Sequence, residues 1–409
     1  MSRASRFLPF LALLLAAASP AWARGGASAD EGYLGGLEAL EQGNPRKAAA
    51  LFQAAASAPV ADPASSPQEA LDARVRVTRM FAQEARTGED PTFRTGKYAA
   101  ALAARAESRL GDIAREQGKL DEARAHYERA IERDPEYPMA HCSLGQILVR
   151  AGEHDRGLSL LERACRLAPE WGVFRQAYAA SLAKSAARRA QAGEIPVEEA
   201  ERQYARAIAL DASGETAPIL LGNSLYRRGD RLKGLFVLER AAKMSDGNVR
   251  AARAYADLLL EEGRAEEALP FATRARDALP NSGAAHRTMG ETLYRLGRYE
   301  EALESLYAAC ARSPRDARAY LVLGKTYERL GWTDLARRAL QDARAMDTAS
   351  SEATFRLGLV HFQRGDLALA SSLLAEAIAA APPGAPWLDP ARDVQRRADT
   401  VLAGLPAAQ

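Results

Sequence analysis

The stretch that decides the fold covers residues 283–316 and reads GAAHRTMGETLYRLGRYEEALESLYAACARSPRD. Residues 317–350 repeat its layout as ARAYLVLGKTYERLGWTDLARRALQDARAMDTAS. Each copy has an apolar residue followed by glycine, a second glycine seven residues later, and alanines five and twelve residues beyond that. Repetition at a fixed period is the first feature to establish, because it determines how the whole chain is organised.

The layout recurs in eight units, which begin at residues 104, 138, 172, 215, 249, 283, 317 and 351. The starts are evenly spaced except for the step from 172 to 215, which carries nine extra residues. The second glycine is Gly118, Gly152, Gly229, Gly263, Gly297, Gly331 or Gly365. We expect each unit to form two helices, with this glycine ending the first one and the small residues allowing close packing.

The pattern resembles the tetratricopeptide repeat (TPR), a helix–turn–helix unit with the same period. The resemblance covers residues 104–384, and a weaker unit at 29–62 has matching residues at Gly36, Gly43, Ala48, Phe52 and Ala55. It implies an all-α, right-handed solenoid of about nine units that bury one another's apolar faces. We expect residues 385–409 to hold a capping helix and a tail, with the helix over 390–402.

The start of the chain, over positions 1–23, has the pattern of a secretory signal peptide. Arg3 and Arg6 precede an apolar run over residues 7–18, and Ala21-Trp22-Ala23 is a small-x-small cleavage site. The run is shorter than the ~20 residues that span a bilayer as a helix. We therefore expect export across the inner membrane, a periplasmic location and no integral membrane segment after cleavage.

Two segments interrupt the repetition. Residues 63–103 predict a linker and an extra helix from Pro67 to Arg86, between the N-terminal unit at 24–62 and the array at 104–384. The insertion at 185–197 contains Gly193 and Pro196, so it predicts a lengthened helix followed by a turn at one edge of the solenoid.

Charge and residue spacing argue against several function classes. The formal charge is only +2, and the signal segment supplies two of the positive charges, so a nucleic-acid partner is not expected. The five histidines show no metal-ligand spacing, and no Cys-x-x-Cys, nucleophile elbow or phosphate-binding loop is present. We expect a protein that is not an enzyme and that has no metal site and no cofactor.

Cys142 and Cys165 allow two interpretations. They are residues 5 and 28 of one unit, and an antiparallel helix pair brings such positions together, so a disulfide is one possibility within the ~7 Å limit on the Cα separation. The other is that all three cysteines are small core residues. Cys310 favours the second interpretation, because it takes the place of Cys165 in its unit without such a partner.

The resemblance to TPR proteins implies that residues 2, 5, 9 and 12 of each unit line a concave groove that binds a peptide. In the middle units these residues are Asn223, Tyr226, Arg250, Arg253, Asp257, Arg287, Glu291, Tyr294, Arg318 and Lys325. A basic groove with two tyrosines suits an acidic or C-terminal peptide segment. Alternatively, the arginines pair with the two acidic residues across units and only solubilise this face. The carboxylate clamp of chaperone-binding TPR proteins is not expected, because isoleucine replaces its lysine at residue 219.

These observations predict a protein–protein interaction scaffold of the cell envelope, which holds a partner polypeptide in the groove. The alternative is a periplasmic carrier or chaperone that transiently holds exported polypeptides. A scaffold should copurify with one defined partner, whereas a carrier should bind many unfolded chains weakly.

Overall fold

A computed structural model describes residues 28–58, 68–85, 98–244 and 248–403. Within these ranges the chain forms twenty α-helices and no β-strand, which confirms the predicted all-α class. The chain divides between Ser185 and Ala186 into two compact units. The predicted signal peptide at 1–23, most of the linker ahead of the extra helix, and the end of the tail lie outside the described residues.

The first unit begins with three helices that precede the regular repeats, α1 (Ala29–Glu41), α2 (Pro45–Ser57) and α3 (Gln68–Ala85). The α1–α2 pair stands where the weak repeat is expected, and α3 stands where the extra helix is expected. Tyr33 of α1 packs against Phe52 of α2 with the ring centroids 5.6 Å apart. Val77 of α3 is buried in the same apolar cluster, so the extra helix contributes to this core.

The first unit continues with α4 (Tyr98–Glu116), α5 (Leu120–Arg133), α6 (Pro138–Ala151), α7 (His154–Leu167) and α8 (Gly172–Gln191), which crosses the division. Helix α4 begins six residues before the repeat start at 104. It does so because Tyr98 and Leu102 are buried in the cluster of the first three helices. Helix α8 is 20 residues long, and Gly193 follows it with a positive φ of 74°, as the insertion predicts.

The second unit contains α9 (Val197–Leu210) and then five helix pairs with a final helix. Their bounds are α10 (Thr216–Arg227), α11 (Arg231–Met244), α12 (Val249–Glu261), α13 (Ala265–Ala278), α14 (Gly283–Arg295), α15 (Tyr299–Arg312), α16 (Ala317–Arg329), α17 (Thr333–Met346), α18 (Ser351–Gln363), α19 (Leu367–Ala379) and α20 (Leu388–Ala403). Helix α20 lies where the capping helix is expected. Just before it, Trp387 stacks on Phe355 of α18 at a centroid distance of 4.9 Å.

Small residues let the two helices of a pair approach closely. A Cβ atom added at Gly290 of α14 would lie 2.6 Å from Cγ of Leu306 on α15, so only glycine fits there. Between pairs, one continuous cluster of buried apolar side chains extends from Tyr226 to Leu373. This is the one-dimensional core that a stack of helix pairs requires, because no single pair can bury its own apolar face.

Candidate functional site

The predicted groove residues lie on α10, α12, α14 and α16, the first helices of four consecutive pairs. Helical residues three or four apart share a face, so those of each helix project to one side. The first helices also contact one another from pair to pair. We call the surface formed by α12, α14 and α16 the first-helix surface.

Glu291 is the buried centre of this surface, and its side chain is only 6% exposed. Its Oε2 accepts a hydrogen bond from Arg318 Nε at 3.1 Å, and its Oε1 accepts one from Arg295 Nη2 at 3.1 Å. Burial opposes ionisation of this carboxyl, but the nearby guanidinium groups outweigh burial and hold its pKa below the ordinary 4.5. Glu291 is therefore ionised at neutral pH.

Arg287 joins three consecutive helix pairs through its guanidinium group. Its Nε donates to Asp316 at 3.2 Å, and its terminal nitrogens lie 3.8 Å from Asp257 and 3.9 Å from Glu291. Asp257 also accepts a hydrogen bond from Arg253 at 2.6 Å. Arg287 is only 9% exposed, so its side chain links neighbouring repeats and hardly contacts solvent.

Some charged side chains of the first-helix surface are covered and others reach solvent. The side chains of Glu291 and Asp257 are 6% and 16% exposed, whereas those of Arg318 and Arg250 are 41% and 70% exposed. These two carboxylates are therefore covered, whereas the guanidinium groups of these two arginines reach solvent. A guanidinium group has five N–H donors, and Arg318 uses two of them on Glu291. It therefore keeps donors for a ligand.

The remaining predicted residues also contact their neighbours. Lys325 Nζ donates to Glu352 at 3.0 Å and lies 5.5 Å from the centroid of the Tyr294 ring. The hydroxyl of Tyr226 donates to Glu262 at 2.6 Å, and burial followed by this carboxylate raises the pKa of that tyrosine. Asn223 is half-buried on α10.

Sequence reasoning missed a second group of charges next to this surface. Arg356 of α18 donates to Glu328 at 3.0 Å and to Glu352 at 3.3 Å. The signal that would have found such groups is the constant separation from position 9 of one repeat to position 2 of the next. The two positions are 27 residues apart, and their side chains pair Glu291 with Arg318 and Lys325 with Glu352.

The three cysteines are free thiols, with Cys142 buried and the other two half-buried. Burial, and then the nearby Cys165, raises the pKa of Cys142 to about 12. The pairing of these two residues stays a prediction. Among the described residues, no group of three or more His, Cys, Asp and Glu side chains is arranged to hold a metal ion. None of the described helices is both long and apolar enough to cross a membrane.

Comparison with known families decides what the helix pairs are. A tetratricopeptide-repeat profile matches residues 108–170 and 323–386, and a second TPR profile matches residues 290–331. The chain is a tetratricopeptide-repeat protein. Residues 233–309 of this TPR protein also match the profile of anaphase-promoting complex, cyclosome, subunit 3. A comparison with curated proteins gives no match.

Solved structures similar to this TPR protein include TTC0263, a thermophilic TPR protein of Thermus thermophilus. It is 26% identical, with a TM-score of 0.38, and the match covers 46% of this chain and 100% of TTC0263. The Cut9–Hcn1 hetero-tetramer of APC/C is 18% identical over 91% of this chain and 77% of its own, with a TM-score of 0.47. YrrB, a TPR protein with an unusual peptide-binding site, is 19% identical over 56% of this chain and 95% of its own, with a TM-score of 0.31.

Proposed function

We propose that this TPR protein is a protein-interaction scaffold whose first-helix surface binds an acidic segment of a partner polypeptide. The observation that supports this function is the unequal exposure of charges on that surface. The carboxylates of Glu291 and Asp257 are covered and already paired, whereas the guanidinium groups of Arg318 and Arg250 reach solvent. A partner carboxylate that approaches Arg250 or Arg318 therefore meets exposed guanidinium donors.

The residues of this surface take two different roles in the proposal. Arg250, Arg318 and Arg295 are the contact residues, because charge-assisted hydrogen bonds to carboxylates are short and strong. Tyr294 offers a half-buried aromatic ring beside them. Arg287 is a positioning residue, since it is buried and holds acidic groups of three helix pairs in place.

The proposed setting is the cell envelope, and the proposed location is the periplasm. Both rest on the start of the chain, positions 1–23, in which two arginines, an apolar run and a small-x-small site follow one another as in exported proteins. Fractionation of cells that produce the full chain tests this setting directly. Full-length protein retained in the cytoplasm would contradict it.

The test of the binding function is crosslinking and pull-down of the full chain from its native cells. The first variant carries Arg250→Glu and Arg318→Glu, which reverse two exposed charges of the first-helix surface. The matched control carries Arg312→Glu and Arg338→Glu, which reverse two exposed arginines on the second helices α15 and α17. Arg287 is left unchanged, because a change there would disturb the fold as well as the surface.

We expect a defined partner to be recovered with the parent and the control and to be lost with the first variant. Lysine substitutions in the acidic segment of that partner should restore binding to the first variant. A partner that is retained by both variants would contradict the proposed surface. Weak recovery of many unfolded chains, equal in all three proteins, would instead support the carrier or chaperone function.

A further inference from the structure

Helix α11 exposes two large apolar side chains next to each other. Leu232 is 84% exposed, more than any other large apolar side chain among the described residues, and Phe236 is 63% exposed. They are four residues apart on one helix, so they lie on the same face. Single exposed apolar residues are common in soluble proteins, but an adjacent pair of this size indicates a contact surface.

The repeat pattern does not require this pair. In six of the other seven repeats the position of Leu232 is acidic, as Asp121, Asp155, Glu198, Glu266, Glu300 and Asp334. An acidic residue is favourable there, because it lies in the first turn of the second helix. The position of Phe236 holds no other aromatic residue and is Ala125, Ser159, Arg202, Pro270, Glu304, Arg338 or Ser372. Helix α11 is therefore an exception within its own chain.

The charge around the pair is also an exception. Residues 227–244 contain six basic and two acidic side chains, whereas the most basic equivalent stretch, 329–346, contains four basic and two acidic. Lys233 and Lys243 are 73% and 61% exposed, although they lie 3.7 Å from Asp230 and 2.5 Å from Glu239. Ion pairs as exposed as these are weak and rearrange easily. Two exposed lysines thus lie on the same helix as the apolar pair.

These charges decide between the possible occupants of α11. A second copy of the chain that packed α11 against α11 would bring like charges together, so a symmetric dimer is disfavoured. A protein partner would need a pocket shaped for two protruding side chains. A lipid interface needs no such pocket, and helices that bind it combine leucine and phenylalanine with lysine and arginine.

We infer that α11 is a docking surface for an anionic phospholipid bilayer. Leu232 and Phe236 enter the region between the head groups and the acyl chains. Lys233, Arg240 and Lys243 face the negatively charged head groups, which attract basic residues close to the surface. This contact is peripheral and uses a second helix, so it is separate from the first-helix surface proposed for peptide binding.

The test is flotation with vesicles of phosphatidylglycerol and phosphatidylcholine in equal parts, and with vesicles of phosphatidylcholine alone. The full chain and the chain from residue 24 onward are both measured, because the apolar run at 7–18 would itself bind lipid. The first variant carries Leu232→Ser and Phe236→Ser. The matched control carries Leu335→Ser and Leu369→Ser, which are 41% and 48% exposed on α17 and α19.

We expect the chain from residue 24 onward to bind the anionic vesicles and not the neutral ones, with binding weakened by salt. The first variant should bind at least roughly tenfold more weakly, because it loses two inserted side chains. The control variant should bind like the parent. A Lys233→Gln, Arg240→Gln variant should lose about fivefold per charge, and it keeps the test valid if the serine variant fails to fold.

Several results would overturn the inference. One is equal binding of the parent and the first variant to anionic vesicles, and another is no preference of the parent for anionic over neutral vesicles. Self-association that disappears in the first variant would assign the pair to a second copy instead. An acidic protein that crosslinks through residue 236, with no vesicle binding, would assign it to a protein partner. The Arg250→Glu, Arg318→Glu variant should bind vesicles like the parent, so the two proposals fail independently.

Discussion

The link that Arg287 makes between repeats can be tested by replacing it with alanine. The substitution removes the hydrogen bond to Asp316, the contacts with Asp257 and Glu291, and a buried aliphatic stem. Removal of one partner from a buried ion pair typically costs ~3–5 kcal/mol. The cost here should be smaller, because Glu291 keeps two arginines and Asp257 keeps Arg253. We expect Arg287→Ala to lower the free energy of unfolding by about 2 kcal/mol.

Two further variants separate the causes of this loss. Arg287→Met keeps the buried stem without the charge, so it should recover part of the stability, since apolar isosteres often replace buried ion pairs well. Arg298→Ala removes an exposed arginine that pairs with Glu301 of α15, and it should leave the unfolding midpoint unchanged. The measurement is urea unfolding followed by far-ultraviolet circular dichroism. If Arg287→Ala unfolds at the same urea concentration as Arg298→Ala, the link does not stabilise the stack.

Three other predictions concern stability and reactivity. Gly157→Ala should lower the free energy of unfolding by about 1 kcal/mol, because its Cβ would lie 2.7 Å from a backbone oxygen of the facing helix. In the matched Gly35→Ala variant the added Cβ meets only side-chain atoms, the nearest at 3.4 Å, and the free energy of unfolding should rise by roughly 0.5–1 kcal/mol. Thermal unfolding checks both variants. Stabilisation by Gly157→Ala would refute the close contact. The pKa of Glu291 is lowered in the folded state, so its ionised form stabilises the fold fully above pH 4.5, and this stabilisation is lost as pH falls through the lower folded pKa. The urea midpoint of Glu291→Gln should therefore change less with acid than that of the parent. Equal acid dependence of the two midpoints would refute this. The buried thiol of Cys142, with its raised pKa, should resist alkylation in the native chain at mildly alkaline pH; mass spectrometry of unreduced peptides that finds it joined to Cys165 would show the disulfide instead.

The period of the sequence was sufficient to predict the helix pairs and the turns between them. Gly297 is an example, because its position in the pattern predicts the end of α14, and it has a φ of 77°. The earlier start of α4 was not predictable in this way. It depends on Tyr98, whose burial comes from contacts with the helices that precede the regular repeats and not from a repeated position.

The candidate site was predicted less completely than the fold. The sequence places Arg287 and Arg318 on the same face, but it does not show that one is buried and the other exposed. That difference depends on which carboxylates of the neighbouring repeats come within hydrogen-bonding distance, and hence on the packing of one helix pair against the next. The position of a residue within its repeat predicts the face on which its side chain lies. Its ion-pair partner depends on the contacts between neighbouring repeats.

The pairing of position 9 with position 2 of the next repeat also limits how this protein can evolve. Glu291 meets Arg318 and Lys325 meets Glu352, so the repeats that begin at 283 and 317 each carry a charge that suits the repeat that follows it. A tandem duplication of residues 317–350 would set the lysine at position 9 of one copy against the arginine at position 2 of the next. The repeats look like interchangeable modules in outline, but the charges at these two junctions favour the present order of the last three.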